Sequence, residues 1–313
     1  MNKRKLYSIV SRGWILILSI SILGCVGEKT ELPTKGSIVI AVSETVLPMV
    51  RQQEEKFESL YTNAKIDIIS ASTREVITRI FNDTIKLIVS SRPLNEEEKE
   101  VEKRAPFDLK EYKIALDGIA VIVNAKNPVS QLRTTQLDSI FQGLTTRWSD
   151  VGGDRKKIDI ILPDPNAGEF EVVGTKILKG KKFGSAAKIV RSSPEMLEQV
   201  TLLPDAIGFV SVNWLRDKSE KLKVLELCDP SMPDSLGIKG QYFAPFQAHI
   251  YRGYYPITSE VYIYSRVDMY SVGSGFISFV TSAPGQKIVL DNGMVPVTMP
   301  VRLVELTNRG IKP

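Results

Sequence analysis

Histidine and cysteine are nearly missing from this 313-residue chain, which holds one His, His249, and two Cys, Cys25 and Cys228. A Ser-His-Asp triad would have to use His249, and no Gly-x-Ser-x-Gly elbow accompanies it. His249 sits in a Pro- and Tyr-flanked stretch, where a lone imidazole is more often structural than catalytic. Zinc-type spacing, an EF-hand loop, a Walker segment and a dinucleotide-type Gly cluster are all absent, so no metal or cofactor is expected. Cys228 lacks an activating neighbourhood and reads as a small apolar filler. The acidic run Glu96-Glu97-Glu98 with Lys99 and Glu100 reads as a water-facing helix start. Past the N-terminus, no run approaches the roughly 20 apolar residues of a membrane span. These absences argue against an enzyme.

What is there begins at the N-terminus. Lys3, Arg4, Lys5 and Arg12 precede an apolar run from Trp14 to Leu23, closed by Gly24-Cys25. A basic start, an apolar core of about ten residues and a small residue at the cut point form a secretory signal. The cysteine stands where a bacterial lipobox places it, so residues 1–24 resemble a lipoprotein signal, with Cys25 the lipid-carrying first residue of the mature protein. The alternative is an N-terminal anchor helix with an incidental cysteine. Removing the signal takes four positive charges from a formal +5 and leaves 37 Lys and Arg against 36 Asp and Glu. The basicity therefore belongs largely to the signal, and nothing argues for a nucleic-acid partner. Only Cys228 would remain as a thiol, which excludes an internal disulfide. Residues 25–35 (CVGEKTELPTK) read as a polar tether, and the expected location is the cell envelope, facing the periplasm.

From Ser37 onward, short apolar runs alternate with helical patterns: 37–41, 66–69 and 85–89 as strands, each followed by a helix. This is the signature of an α/β sheet. Further strands are expected at 112–123, 158–162, 206–210, 261–265 and 295–297, with helices at 134–141, 275–281 and 285–290. Residues 228–258 read as irregular. Strand ends run repeatedly into small hydroxylated residues and then a helix, at Ser43 and Thr45, at Ser72 and Thr73, and at Ser91. In an open α/β sheet, ligands sit beyond the carboxyl ends of the strands. Helix starts there offer unpaired N–H groups, and added hydroxyls make an uncharged cradle for an anion. Each Ser or Thr taken alone could equally cap its own helix.

Several phrases then carry a resemblance: Ser91-Arg92-Pro93-Leu94, the stretch from Ala115 to Asn124 (ALDGIAVIVN), Leu137 to Gly143 with Trp148, Ala206 to Val210 (AIGFV), Tyr255-Pro256-Ile257, and Phe276 to Pro296. In this order and spacing, the chain resembles the phosphate-binding components of bacterial ABC importers, a branch of the type II periplasmic solute-binding proteins, over nearly all of residues 36–300. The resemblance implies an α/β fold of two lobes, with mixed sheets flanked by helices and two crossover strands. Lobe one would be 36–117 plus 254–313, and lobe two 118–253. It further implies a monomer that binds phosphate or another oxyanion between the lobes, closes about a hinge near Asp117, and works with a membrane permease and its ATPase.

The departures lie at the ligand positions. The family's Arg-Asp-x-x-Ser-Gly-Thr segment reads Pro163-Asp164-Pro165-Asn166-Ala167-Gly168-Glu169. Its Gly-Ser-Gly-x-Gly after the second strand reads Ser70-Ala71-Ser72-Thr73-Arg74, and its Asp before the Ser-Arg-Pro phrase is Lys86. A carboxylate about 4 Å from one unit of ligand charge costs about 4 kcal/mol at an effective dielectric of 20. That exceeds the roughly 1.5–3 kcal/mol of one charge-assisted hydrogen bond, so Glu169 opposes an oxyanion if it faces the cleft. The expected ligand set is Ser43, Thr45, Ser72, Thr73, Arg74, Ser91, Arg92, Asn166, Ala167 and Gly168, with Arg74 replacing the lost Arg and Arg92 either joining it or bracing the inter-lobe surface. Three outcomes stay open: phosphate held through Arg74, a different ligand, or a docking surface with a filled cleft.

Overall fold

The computed structural model describes residues 32–298, apart from 217–219, 234 and 236. The expected signal, Cys25 and residues 299–313 lie outside the described residues.

Strand β1 (Lys35–Ser43) passes through a 3-10 turn at Glu44–Val46 into helix α1 (Leu47–Leu60), with Pro48 in its first turn. Strand β2 (Asn63–Ala71) leads into α2 (Thr73–Phe81), and β3 (Leu87–Ser90) into α3 (Glu96–Arg104). Asn95 and Glu98 close a reciprocal capping box on α3, which accounts for its acidic start. The long β4 (Lys110–Asn124) comes next, followed by β5 (Gln131–Arg133) and α4 (Thr134–Phe141). Arg133 is the residue flanking α4. Then come β6 (Asp159–Pro163), α5 (Gly168–Lys176), β7 (Lys188–Val190), α6 (Ser193–Leu202) and β8 (Ala206–Ser211). The chain continues through β9 (Leu222–Val224), β10 (Glu226–Cys228), the short α7 (Gln247–Tyr251), β11 (Thr258–Ser265), α8 (Val272–Thr281), α9 (Ala283–Asp291) and β12 (Val295–Pro296).

The strands order β2-β1-β3-β11-β4-β8-β6-β7. β1 runs parallel to β2 and β3, and β6 runs parallel to β7 and β8. β11 and β4 are the antiparallel elements between these parallel groups. β4 changes partners midway: its pairing with β11 ends at Gly118 opposite Thr258, and its pairing with β8 starts at Ile119 opposite Ser211. One strand therefore serves both halves of the sheet. A Cβ at Gly118 would lie 2.6 Å from Ile250 Cδ1, so the switch point admits only glycine without repacking.

Residues 32–35, expected at the end of the tether, belong instead to the body. Leu32 and Lys35 exchange backbone hydrogen bonds of 3.0 Å, and a Cβ at Gly275 would come within 1.9 Å of Pro33 O. The polar composition of this stretch hides the fact that it closes over α8.

Phe57 anchors the first half. It is fully buried, with its ring 5.7 Å from those of Phe276 and Phe279 and 4.9 Å from Tyr61. The same apolar cluster reaches Met196 and Val210 in the second half, so the halves share an apolar seam. A second cluster gathers around Phe141, Trp148 and Phe209, and a third around Ile77, Ile80 and Tyr264. Truncating Phe57 to Ala should cost about 3–5 kcal/mol. A urea titration should show this as a lowered midpoint with an unchanged slope.

Candidate functional site

The carboxyl ends of β1 and β3 and the start of α2 after β2 bring three buried hydroxyls together. Ser43 Oγ lies 2.6 Å from Thr73 Oγ1 and 3.1 Å from Ser91 Oγ, and Thr73 Oγ1 lies 2.9 Å from Ser91 Oγ. A closed triangle of hydroxyls can direct every proton around its own ring. The backbone beside it is fixed from the neighbouring strand β11, because Ser259 Oγ donates to Ser91 O over 2.8 Å.

The first turn of α5 lies directly on this triangle. A Cβ at Gly168 would stand 2.1 Å from Ser91 Oγ and 2.8 Å from Thr73 Oγ1, so the close approach depends on glycine. The adjoining loop is tied by Arg74 N–H donating to Asn166 O at 3.1 Å. Ala167 flanks the helix without a side-chain cap, which leaves its leading N–H groups to other acceptors.

Glu169 supplies that acceptor. Its carboxylate takes a short hydrogen bond from Thr45 Oγ1 and faces its own backbone N–H, and the side chain is buried. Thr45 is held in turn by Asn213, whose Nδ2 donates to Thr45 O at 2.7 Å. Burial pushes the Glu169 carboxyl up to about 7, against the hydrogen bonds that favour its ionised form. Asp117, on β4 at the switch point, is fully buried and pushed up to about 8, first by burial and further by Glu169. The Ser211 hydroxyl and the N–H groups of Gly118 and Val212 offset part of this, yet neither Asp117 oxygen reaches hydrogen-bond geometry.

A second carboxylate meets the next helix start. Glu44 accepts from Ser193 N at 3.0 Å and from Ser193 Oγ at 2.9 Å, at the first turn of α6. An acid suits the partial positive charge there. Burial still raises the Glu44 carboxyl above the usual carboxylate range.

The cations are engaged elsewhere. Arg92 donates two hydrogen bonds to Glu98, at 2.6 and 2.9 Å, and its Nε lies 2.7 Å from Glu171 Oε2 on α5. Burial opposes its charge, but these carboxylates hold it above the usual guanidinium range. Asn95 Nδ2 also donates to Glu171, so Arg92 and Asn95 clamp α5 to the end of β3. The cavity bounded by Glu44, Asp164, Glu169, Arg191 and Ser193 amounts to about 10 Å³. That is room for at most one water. Hollows of about 520 and 370 Å³ exist, but neither is lined by Ser43, Thr73 or Glu169.

Among the residues expected to bind, the fold thus gathers Ser43, Thr45, Thr73, Ser91 and Gly168 at one junction. Arg92 braces that junction. Ser72 caps its own helix, accepting from Glu75 N. Arg74 and Asn166 have exposed side chains, and Ala167 lies half-buried beside the cluster. Glu44, Asp117 and Asn213 were not singled out as site residues. Among the described residues, no group of three or more His, Cys, Asp or Glu converges as metal ligands.

Two buried acids whose carboxyls burial pushes up set a pH dependence. Both bind protons in the fold and lose them in the unfolded chain between their ordinary values, 3.8 for Asp117 and 4.5 for Glu169, and about 7–8. Unfolding then releases protons, so stability falls as pH rises through this window. Thermal melts should show a lower midpoint at pH 8 than at pH 5. The pair Asp117→Asn with Glu169→Gln should remove most of that difference; an unchanged slope in the double variant would refute the assignment.

A model of the PBP superfamily domain matches residues 27–284. The phosphate-binding protein PstS of Staphylococcus epidermidis is 28% identical over 263 residues, which cover 80% of this chain and 76% of that protein. PstS of Staphylococcus aureus is 29% identical over 255 residues, covering 78% and 73%. Among solved structures, a putative phosphate ABC transporter substrate-binding protein with bound phosphate from Clostridium perfringens aligns with a TM-score of 0.72 at 22% identity, covering 84% of this chain and all of that one. An ABC-type phosphate transport receptor from Vibrio cholerae aligns at 0.64 and 22%, with the same coverage of this chain. These structures share the fold described above, and with the family model spanning most of its length, the chain belongs to the PBP superfamily.

Proposed function

We propose that this chain is an extracytoplasmic solute-binding protein, anchored by lipid at Cys25, that takes phosphate or a related oxyanion between two lobes and delivers it to an importer's permease and ATPase. The observation that carries this reading is the buried trio Ser43, Thr73 and Ser91 set against the uncapped first turn of α5. Hydroxyls and helix N–H groups together bind anions without a local cation. The relatives named phosphate-binding proteins support the same reading. The lobes would be 36–117 with the C-terminal part from 254, and 118–253, turning about the partner switch at Gly118. A binder of this kind releases its guest unchanged, so no catalytic role is assigned. The basic, apolar, cysteine-ended start supports the anchor and a periplasm-facing site.

A second reading is favoured by one observation. Glu169 already fills the junction, as suits a family member that binds a different ligand or serves as a sensor or interaction module.

Calorimetric titration with millimolar phosphate should give saturable heat, and chloride should give none. Ser91→Ala should weaken binding about tenfold or more, since a hydrogen bond to a charged group contributes about 1.5–3 kcal/mol. Arg74→Ala should change affinity less than about twofold, because its side chain is exposed. No heat from either the wild type or Glu169→Thr would remove the oxyanion reading. The anchor has its own test: Cys25→Ala should move the protein from the membrane fraction to the soluble one and abolish labelling by a radioactive fatty acid.

A further inference from the structure

The junction between the halves is occupied by the chain itself. Glu169 is buried at the first turn of α5, with its carboxylate on Thr45 Oγ1 and toward its own N–H. These are the donors that an anion entering this junction would need. The space left beside the carboxylate is about 10 Å³, room for at most one water. A second acid repeats the arrangement one helix further on, where Glu44 from the β1 side meets Ser193 N and Oγ at the start of α6. Each contact crosses between the halves, since Thr45 and Glu44 follow β1 while Glu169 and Ser193 begin α5 and α6.

Among the described residues, no buried cation pairs with these acids. The groups facing Glu169 are Thr45 and Glu44 from the β1 side, Asp117 from β4, Asp164 from the loop before α5, and Arg191 and Ser193 from the start of α6. Arg191 is exposed, and Arg92 is committed to Glu98 and Glu171. Asp117, buried and without a hydrogen-bond partner, faces the same cluster. A carboxylate held by hydroxyls and a helix start, amid further carboxyls, is placed as an anion ligand would be.

We infer that Glu169 is an intramolecular ligand, a tethered carboxylate seated in the oxyanion cradle that a solute anion must displace before it can reach Thr45 and the α5 start. This rests on the oxyanion reading above and adds its regulation. Affinity for phosphate is then the cradle's own affinity reduced by the fraction of molecules in which Glu169 has left its seat. The same seating joins the halves without a guest, so a change at residue 169 alters both affinity and closure.

The test compares inorganic phosphate binding to the wild-type chain, Glu169→Thr and Glu169→Gln by calorimetry, with circular dichroism and a thermal melt to certify folding. Thr removes the carboxylate and leaves space and a hydroxyl, so Glu169→Thr should bind phosphate at least tenfold more tightly than the wild type. Gln keeps the bulk without the charge and should gain much less than Thr. Small-angle scattering without phosphate should show Glu169→Thr larger in radius of gyration than the wild type, because the Thr45 contact is lost. If the wild type binds phosphate as tightly as Glu169→Thr, the oxyanion reading stands and the tethered-ligand inference falls. If neither the wild type nor the folded Glu169→Thr chain binds phosphate, the oxyanion reading itself falls, and this inference falls with it.

Discussion

The interaction on which the site depends is the contact of a buried carboxylate with a hydroxyl and a helix start, beside which the one cation lining the cavity, Arg191, is exposed. Glu169 reaches Thr45 across the junction, and Asn213 holds the Thr45 backbone in position. Burying an ionised carboxyl without a partner is expensive, so the group becomes easier to protonate. The upward shifts at Glu169, Glu44 and Asp117 are one consequence of three acids sharing a dry junction. Burial is the first cause of each shift: Glu169 at the α5 start, Glu44 at the α6 start and Asp117 inside β4.

That packing is a product of topology. Parallel strands β1 and β3 end on the same edge of the first half, while β6 ends beside the first turn of α5 in the second. β4 crosses between them and changes partners at Gly118, so the two sets of strand ends face each other across one residue step. Arg92 then clamps the contact from the side, with Glu98 presented by the α3 capping box and Glu171 one turn into α5. A bidentate guanidinium–carboxylate pair has a geometry that lysine could not reproduce. The clamp uses the charge that the sequence makes available near the hydroxyls, which is why it is not free for a ligand.

Much of this was legible in the chain, and the unread parts share a cause. Alternating apolar runs and helical patterns placed most strands and helices, because burial on two faces of a sheet dictates periodicity. Hydroxyls at strand ends marked the right edge of the sheet. Glu169 stood out because it replaces a small polar residue at a helix start. Glu44 did not, since an acid ahead of a helix looks like a cap for its own helix, and its partner Ser193 is 149 residues away. Asp117 sits inside a strand, where a polar residue commonly faces water; only the sheet order shows that both faces are covered. Arg74 drew notice for its charge, but its position on α2 turns it outward, while Ser72 beside it serves as a helix cap. Local pattern reports the element, and side-chain partners depend on tertiary distance.

A tethered carboxylate and a free oxyanion compete on unequal terms. The carboxylate is attached to the helix whose N–H groups it faces, so its effective concentration is set by a few bonds and not by solution. A solute must exceed that advantage through charge or shape. Phosphate brings more acceptor oxygens and up to two charges, which favours it at hydroxyls and helix starts. Yet each extra charge meets Asp117, Glu44 and Asp164 at short range, and a unit charge about 4 Å away costs about 4 kcal/mol at an effective dielectric of 20. Protonation of Asp117 and Glu44, whose carboxyls burial pushes up, lowers that cost, and protonation of Glu169 also weakens its own hold on Thr45. The balance between guest and side chain is therefore decided by the protons on this cluster more than by the hydroxyl geometry, which serves either occupant equally well.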